Sequence, residues 1–160
     1  MSKAFAIEQL DDTDRELLRL LQEDGTLSSA ALGERLSMTV TPCWRRRKRL
    51  EELGIIKDYQ ANLDRRKLGY DVMAFAQVRF GNHSAEAPDE FEQVIRKLPQ
   101  VLSCHKVTGE ADYVLTVLAT DLESYGRFVE EVLRRQPGIA SIQSSLALRE
   151  VKAVSRIPVT

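Results

Sequence analysis

Thr39-Val40-Thr41-Pro42-Cys43-Trp44-Arg45-Arg46-Arg47-Lys48-Arg49-Leu50-Glu51-Glu52-Leu53-Gly54 is the stretch on which the fold turns. Thr39 or Thr41 followed by Pro42 reads as a helix start, since proline suits the first turn, and Gly54 reads as its stop. Between Gly33 and Leu50 six basic residues, Arg35 and the run Arg45 to Arg49, stand against Glu34 alone, a local charge of +5 in a chain whose total is -1. At about 100° per residue, Pro42, Arg45, Arg46 and Arg49 share one arc of roughly 100°, and Cys43, Arg47 and Leu50 lie on the opposite, core-facing line. A helix with one basic edge and one buried edge fits the ~12 Å major groove of B-DNA. Arginine suits that task because its fork pairs with phosphate oxygens and with guanine, and Thr39, Thr41 and the helix start can donate to phosphate. The competing reading is a solvated basic face. Arg47 sits where an aliphatic residue is usual, so its stem is expected to pack while its head reaches a carboxylate or phosphate. Trp44 is expected at the rim of the core.

Working outward, Leu17, Leu18, Leu20 and Leu21 form the stripe of a first helix, capped by Asp12 or Thr13 and stopped near Gly25. Ser28 or Ser29 caps a shorter helix carrying Ala31, Leu32 and Leu36. Residues 55–64 read as a β-like stretch broken by turn residues. Three short helices and a small hairpin make a winged helix-turn-helix.

After Gly69 the periodicity changes. Met73 to Phe80 reads as a strand bounded by Gly81-Asn82, and Pro88-Asp89-Glu90 opens a helix with Phe91, Val94, Ile95 and Leu98 on one face. Val101 to Thr108 and Tyr113 to Ala119 are strands about the turn Gly109-Glu110-Ala111-Asp112. Asp121 caps a helix that Pro137-Gly138 stops, and a last strand runs from Ile139 to Ala147 or beyond. The order βαββαβ is ferredoxin-like. The expected fold is therefore α+β: a winged helix-turn-helix domain (1–62), a linker (63–71) and a ferredoxin-like domain (72–160). Two helices cover one sheet face only. Met73, Phe75 and Ala147 make the other too apolar to stay bare, which points to a homodimer through it.

Composition sets outer bounds. The chain has 160 residues, 43% of them hydrophobic and 29% charged, which is ordinary for a globular protein. No apolar run approaches a membrane span, and Met1 to Leu10 does not read as a secretory signal. Cys43 and Cys104 are too few for a disulfide framework, so a reducing, cytoplasmic setting is expected. His83, His105, Cys43 and Cys104 show no metal-ligand spacing, and no catalytic motif or phosphate loop is present, so neither an enzyme nor a cofactor is expected. RNA binding by the sheet would need more exposed aromatics than Phe75 and Phe80.

Thr41 to Ile56, the opening Leu10-Asp11-Asp12-Thr13-Asp14, the segment Gln22-Glu23-Asp24-Gly25, Cys104 to Tyr113 and Pro137-Gly138-Ile139 together resemble the Lrp/AsnC (feast/famine) transcriptional regulators, over about Leu10 to Ile157. The resemblance implies binding to double-stranded DNA, regulation of amino-acid metabolism by a small amino-acid effector, and dimers that assemble into tetramers, octamers or hexadecamers. Two copies of the third helix on neighbouring grooves imply a roughly palindromic operator. The implied DNA contacts are Thr39, Thr41, Pro42, Arg45, Arg46 and Arg49. The implied effector site, between C-terminal domains, comprises Thr108, Gly109, Glu110, Asp112, Tyr113 and Leu122 with Ser144, Ser145, Leu146 and Ala147. The glycine turn offers N–H groups to a carboxylate, and Asp112 can pair with an ammonium or orient that turn. Ser145 stands where some relatives carry a large aromatic residue, and Lys106 replaces an apolar one, so pocket size and polarity differ from theirs.

Overall fold

Leu17, Leu18 and Leu21 recur on one side of α1 (Asp12–Glu23), and burying them against Leu27, Leu32, Cys43 and Leu50 makes the core of the N-terminal unit. The computed structural model describes residues 10–81, 86–153 and 156–159. The N-terminal residues before Leu10, Asn82 and His83 lie outside these. The chain divides into two units: Leu63–Lys152 is one, and residues up to Asn62 together with those from Ala153 onward are the other. The C-terminal residues thus group with the first unit, not with the sheet domain to which their place in the sequence assigned them.

The helix cap of α1 is Asp11, one residue before the expected Asp12. Asp11 Oδ1 accepts the Asp14 N–H at 2.8 Å, and Asp14 reaches back to the Asp11 N–H, a reciprocal box that satisfies two otherwise orphaned donors. α2 (Ser29–Arg35) is capped by Ser28, whose Oγ accepts from the Ala31 N–H. The turn into α3 (Val40–Glu52) is tight: Met38 N–H donates to Gly33 O at 2.7 Å, and Ser37 takes φ 53°. α3 ends as its glycine foretold. Gly54 at φ 68° lets its own N–H reach Glu51 O and the Ile55 N–H reach Leu50 O, which satisfies two terminal carbonyls.

The expected wing hairpin is absent. Among the described residues, 55–64 form no strand, and 57–64 are exposed. A two-stranded ribbon needs a buried face to hold it, and this segment, interrupted by Asp58, Asn62 and Asp64, has none.

The second unit is a four-stranded antiparallel sheet in the order β2-β3-β1-β4, where β1 is Val72–Phe80, β2 Val101–Lys106, β3 Tyr113–Ala119 and β4 Ile139–Leu146. One face carries Ala74, Ala76, Val78, Phe80, Tyr113, Leu115 and Val117, buried with residues of α4 (Ala87–Ile95) and α5 (Leu122–Phe128). Phe80 meets Phe91 and Tyr113 edge-on, with centroids 5.5 and 5.9 Å apart, and the Phe91 and Tyr113 rings lie tilted to one another at 5.0 Å. Asp121 caps α5 as expected. A π-helical turn over Val129–Leu133 continues α5, a feature the 3.6-residue pattern does not reveal. Register puts Met73, Phe75, Gln77 and Arg79 of β1 on the opposite face, with Phe75 beside Ser145, Gln77 beside Gln143 and Arg79 beside Ser141.

Candidate functional site

In the first unit the basic run of α3 separates into two groups. Cys43 and Leu50 are fully buried. Arg46 and Arg47 flank that core line, one on each side, and both are engaged within the unit. Arg46 Nη1 donates to Asp14 Oδ1 at 2.8 Å and to Asp11 Oδ2 at 2.6 Å, and Arg49 pairs with Asp14 Oδ2. Asp14 is completely buried, so these arginines neutralise it and bolt α3 to the start of α1. The Asp14 N–H, then the Arg46 guanidinium, hold Asp11 below the usual carboxylate range.

Arg47 meets the expectation of a packed stem and a paired head. Its Nε donates to Glu51 Oε1 at 3.1 Å and to Tyr59 Oη at 2.9 Å, and its Nη1 caps Leu27 O at 3.0 Å. The Tyr59 hydroxyl donates to Glu51 at 2.8 Å and, ahead of Arg47, lowers that carboxyl's pKa. Tyr59, beyond the helix, is thereby clasped to α3.

The outward face is left to Thr41, Arg45 and Lys48, with Pro42, Trp44 and Arg49 at its edges. Arg45 is exposed and makes no ion pair or hydrogen bond among the described residues. Among the described residues the one ion pair of Lys48 is with Glu52, at 3.9 Å, and its Nζ lies 5.0 Å from the centre of the Trp44 ring. Trp44 is 49% exposed, so it is a surface residue and not a rim residue of the core. Thr39 is the N-cap of α3 but makes no side-chain cap bond, which leaves its hydroxyl and the helix start facing solvent. Of the six residues expected to face DNA, Arg46 is therefore tied into the unit and Arg49 partly so. Lys48 is the outward cation that the sequence arc omitted.

In the second unit the predicted effector residues do not all meet. Thr108, Gly109 (φ 118°) and Glu110 are exposed on the β2–β3 turn. Asp112 anchors that turn: its Oδ2 accepts the Phe80 N–H at 2.7 Å, its own N–H donates to Val78 O and its carbonyl accepts the Val107 N–H. Tyr113 points into the core, where its hydroxyl donates to Glu92 at 2.9 Å; burial, and then Glu92, push its pKa up to about 12. Ser144 faces the helices and bonds Tyr125 at 2.6 Å. Leu122 and Ala147 belong to the other end of the sheet, since β1 runs from Val72 beside Ala119 to Val78 beside Tyr113. Six residues of strand separate those ends, roughly 20 Å.

The turn does open onto a cleft on the uncovered face. Its volume is about 360 Å³, and Gln77, Arg79, Glu110, Ala111, Ser141 and Gln143 line it. Of the effector residues expected from sequence only Glu110 is among them. Gln77, Arg79, Ser141 and Gln143 are brought together by β1–β4 register, which no local motif records. Among the described residues no group of three His, Cys, Asp or Glu is placed to hold a metal, and no helix is long and apolar enough to cross a membrane.

A three-helix head with an outward basic face, joined to a ferredoxin-like sheet with a polar cleft, defines a two-domain DNA-binding regulator. Residues 10–57 match the family model described as winged helix-turn-helix DNA-binding, and residues 73–157 match that of the Lrp/AsnC ligand binding domain. The DNA-binding transcriptional activator DecR of Escherichia coli is 39% identical, over 94% of this chain and 99% of that protein. The leucine-responsive regulatory protein of Escherichia coli is 31% identical, over 98% and 95%. Among solved structures, a transcriptional regulator from Neisseria meningitidis in complex with L-Met superposes with TM-score 0.90 at 37% identity, covering 94% of this chain and 97% of its own. The chain belongs to the Lrp/AsnC family of transcriptional regulators. It is a DNA-binding regulator of transcription and not an enzyme.

Proposed function

We propose that α3 reads the major groove through Thr41, Arg45 and Lys48, and that a small amino acid held in the sheet cleft sets the activity of the regulator. The observation that carries the DNA reading is the outward face of α3. Arg45 and Lys48 stand there without a strong internal partner, whereas Arg46 has two. Arg49, paired but half-exposed, can turn to phosphate.

The cleft has the chemistry for a zwitterion. Arg79 suits a carboxylate, Glu110 an ammonium, and Gln77, Gln143 and Ser141 supply neutral donors and acceptors. A volume of about 360 Å³ is at the small end for ligand pockets, which favours a free amino acid over a larger metabolite. The L-Met complex of the Neisseria meningitidis relative supports this class of ligand. Leu122 and Ala147 join such a site only if a second copy brings the far end of its sheet to this turn, whereas Ser145 is the next residue along β4 from Gln143 on the cleft's own face. That agrees with assembly over the face bearing Met73 and Phe75, as a homodimer or larger, and with a roughly palindromic operator. A ligand on that face acts by favouring one assembly over another.

The DNA reading is tested by titrating a duplex from upstream of the chain's own gene at several salt concentrations. Arg45→Ala should flatten the dependence of log affinity on log salt by about one phosphate contact per copy. An unchanged slope moves the interface elsewhere. For the effector, a thermal-shift screen of the twenty amino acids should yield stabilisation that Arg79→Ala removes. Stabilisation that survives Arg79→Ala places the ligand outside the cleft.

A further inference from the structure

The described C-terminal residues lie against α1 in a manner that is read residue by residue. The side-chain amide of Gln22 makes two bonds to one residue: its Nε2 donates to Ile157 O at 3.0 Å, and its Oε1 accepts the Ile157 N–H at 2.6 Å. Three residues earlier on the same helix face, Arg19 Nη2 donates to Val159 O at 2.8 Å, while Arg19 Nη1 is steadied by Glu16 at 2.9 Å. Val159 packs, partly buried, on the leucine core of the first unit. Pro158, between them, has no N–H to leave unsatisfied. Both backbone groups of Ile157 and the carbonyl of Val159 are thus answered by side chains of α1. Random chain ends on a helix surface do not receive three converging bonds of this kind.

Connectivity gives the contact its meaning. The chain leaves the first unit after Asn62 and returns to it at Ala153, with the whole sheet domain between. One covalent tie leaves a head free to swivel about its linker, and a second tie removes much of that freedom. We infer that Arg19 and Gln22 form a docking edge for the chain's own C-terminal segment, and that this segment is a latch restraining the DNA-reading head. The inference rests on the reading of α3 as the DNA interface. Two heads on one assembly gain from each other only if their spacing is held, so the latch raises the effective concentration of the second head at its half-site.

The test uses the full chain and three variants. In the double variant Gln22→Cys with Ile157→Cys, a short bismaleimide followed by peptide mapping should join residues 22 and 157 within one copy. A chain ending at Ala153 should keep its oligomeric state by light scattering. It should bind the duplex from upstream of its own gene about ten-fold more weakly at fixed salt, with the salt slope unchanged. Gln22→Ala, which leaves Val159 to cover the core, should melt like the parent and lose part of the same affinity. Three results overturn the latch: no 22–157 product, a product only between two copies, or parental duplex affinity in both the shortened chain and Gln22→Ala. If the parent itself ignores duplexes at every salt concentration, the function reading fails, and the cross-link alone decides whether the segment docks.

Discussion

Arg46 Nη1 lies 2.8 Å from Oδ1 of Asp14, a carboxylate with no exposure to solvent, and Arg49 holds the other oxygen of the same group. The relationship crosses from the middle of α3 to the first turn of α1, and it sets the angle at which α3 presents its outward face. Removing one partner of a buried pair leaves part of a charge uncompensated, at about 3 kcal/mol. Arg46→Ala should therefore lower the melting temperature of the first unit by roughly 10–20 °C. Arg45→Ala should leave it unchanged while weakening duplex binding. Circular dichroism melts of the two variants, run beside a binding titration, separate the arginine that holds α3 from the one proposed to contact DNA. Equal melts would mean that Asp14 needs no second arginine.

The same pair of helices carries a pH dependence. The Asp14 N–H, and after it Arg46, lower the pKa of Asp11 in the folded chain. A depressed carboxyl contributes stability that is present above its unfolded value near ~3.9 and is lost as pH falls through the lower folded value. Urea midpoints of the first unit should accordingly decline below about pH 4. Asp11→Asn keeps a capping side chain but removes the titration, so its midpoint should vary less over that interval. An identical acid profile for parent and variant would assign the loss to other carboxylates.

The outline of this molecule was legible in its sequence because its determinants are local. Ser28, Asp121 and Gly54 mark element ends by their own side chains or φ values, and the strand Tyr113–Ala119 is a continuous apolar run. What failed to show is settled by partners far away in the chain. Arg46 lies at the edge of an amphipathic arc, and Asp11 and Asp14, at the start of another helix, decide that it turns inward. Helical angle alone also left out Lys48, which flanks the arc that the three chosen arginines defined. The cleft joins β1, β4 and the β2–β3 turn by register, so Arg79 and Ser141 carry no signal until the strands are paired. The missing wing has the same origin: residues 55–64 show β-like spacing, but pairing is a property of two segments, and no second one is at hand.

Tyr113 provides an alkaline counterpart in the second unit. Burial, and then Glu92, push its pKa up to about 12, while an unfolded tyrosine ionises near ~10. A raised folded value means that stability is fully present below about pH 10 and is lost as the unfolded chain ionises first, at about 1.4 kcal/mol per pH unit until the folded group titrates too. Tyr113→Phe should remove that slope from the sheet domain between about pH 10 and 12. The freed Glu92 still has Arg96 at 2.9 Å, so the neutral-pH cost should stay near about 1 kcal/mol, the typical worth of one hydrogen bond. Denaturant titrations at pH 8 and pH 11, monitored by tryptophan-independent ellipticity, measure both quantities. A variant as alkali-sensitive as the parent would exonerate Tyr113.

Gly33 governs whether α2 and α3 can meet at all. A Cβ placed there would lie 2.8 Å from the carbonyl oxygen of Met38, a backbone atom held by its own turn, and the Met38 N–H already donates to Gly33 O at 2.7 Å. The clash cannot be relieved by a rotamer, so Gly33→Ala must open the turn between the helices. The helices themselves lose little, because alanine favours helix more than glycine does. The expected outcome is a first unit destabilised by about 1–3 kcal/mol, with helical ellipticity nearly retained at low temperature and duplex affinity lost by more than the stability change explains, since α3 is displaced from α1 and its Asp14 anchor. Gly126→Ala is the matched control: nothing lies within 4 Å of its Cβ, and it should be neutral or slightly stabilising. Parental duplex binding by Gly33→Ala would show that the outward face of α3 tolerates a change of helix angle, and the rigid docking of this head would have to be abandoned.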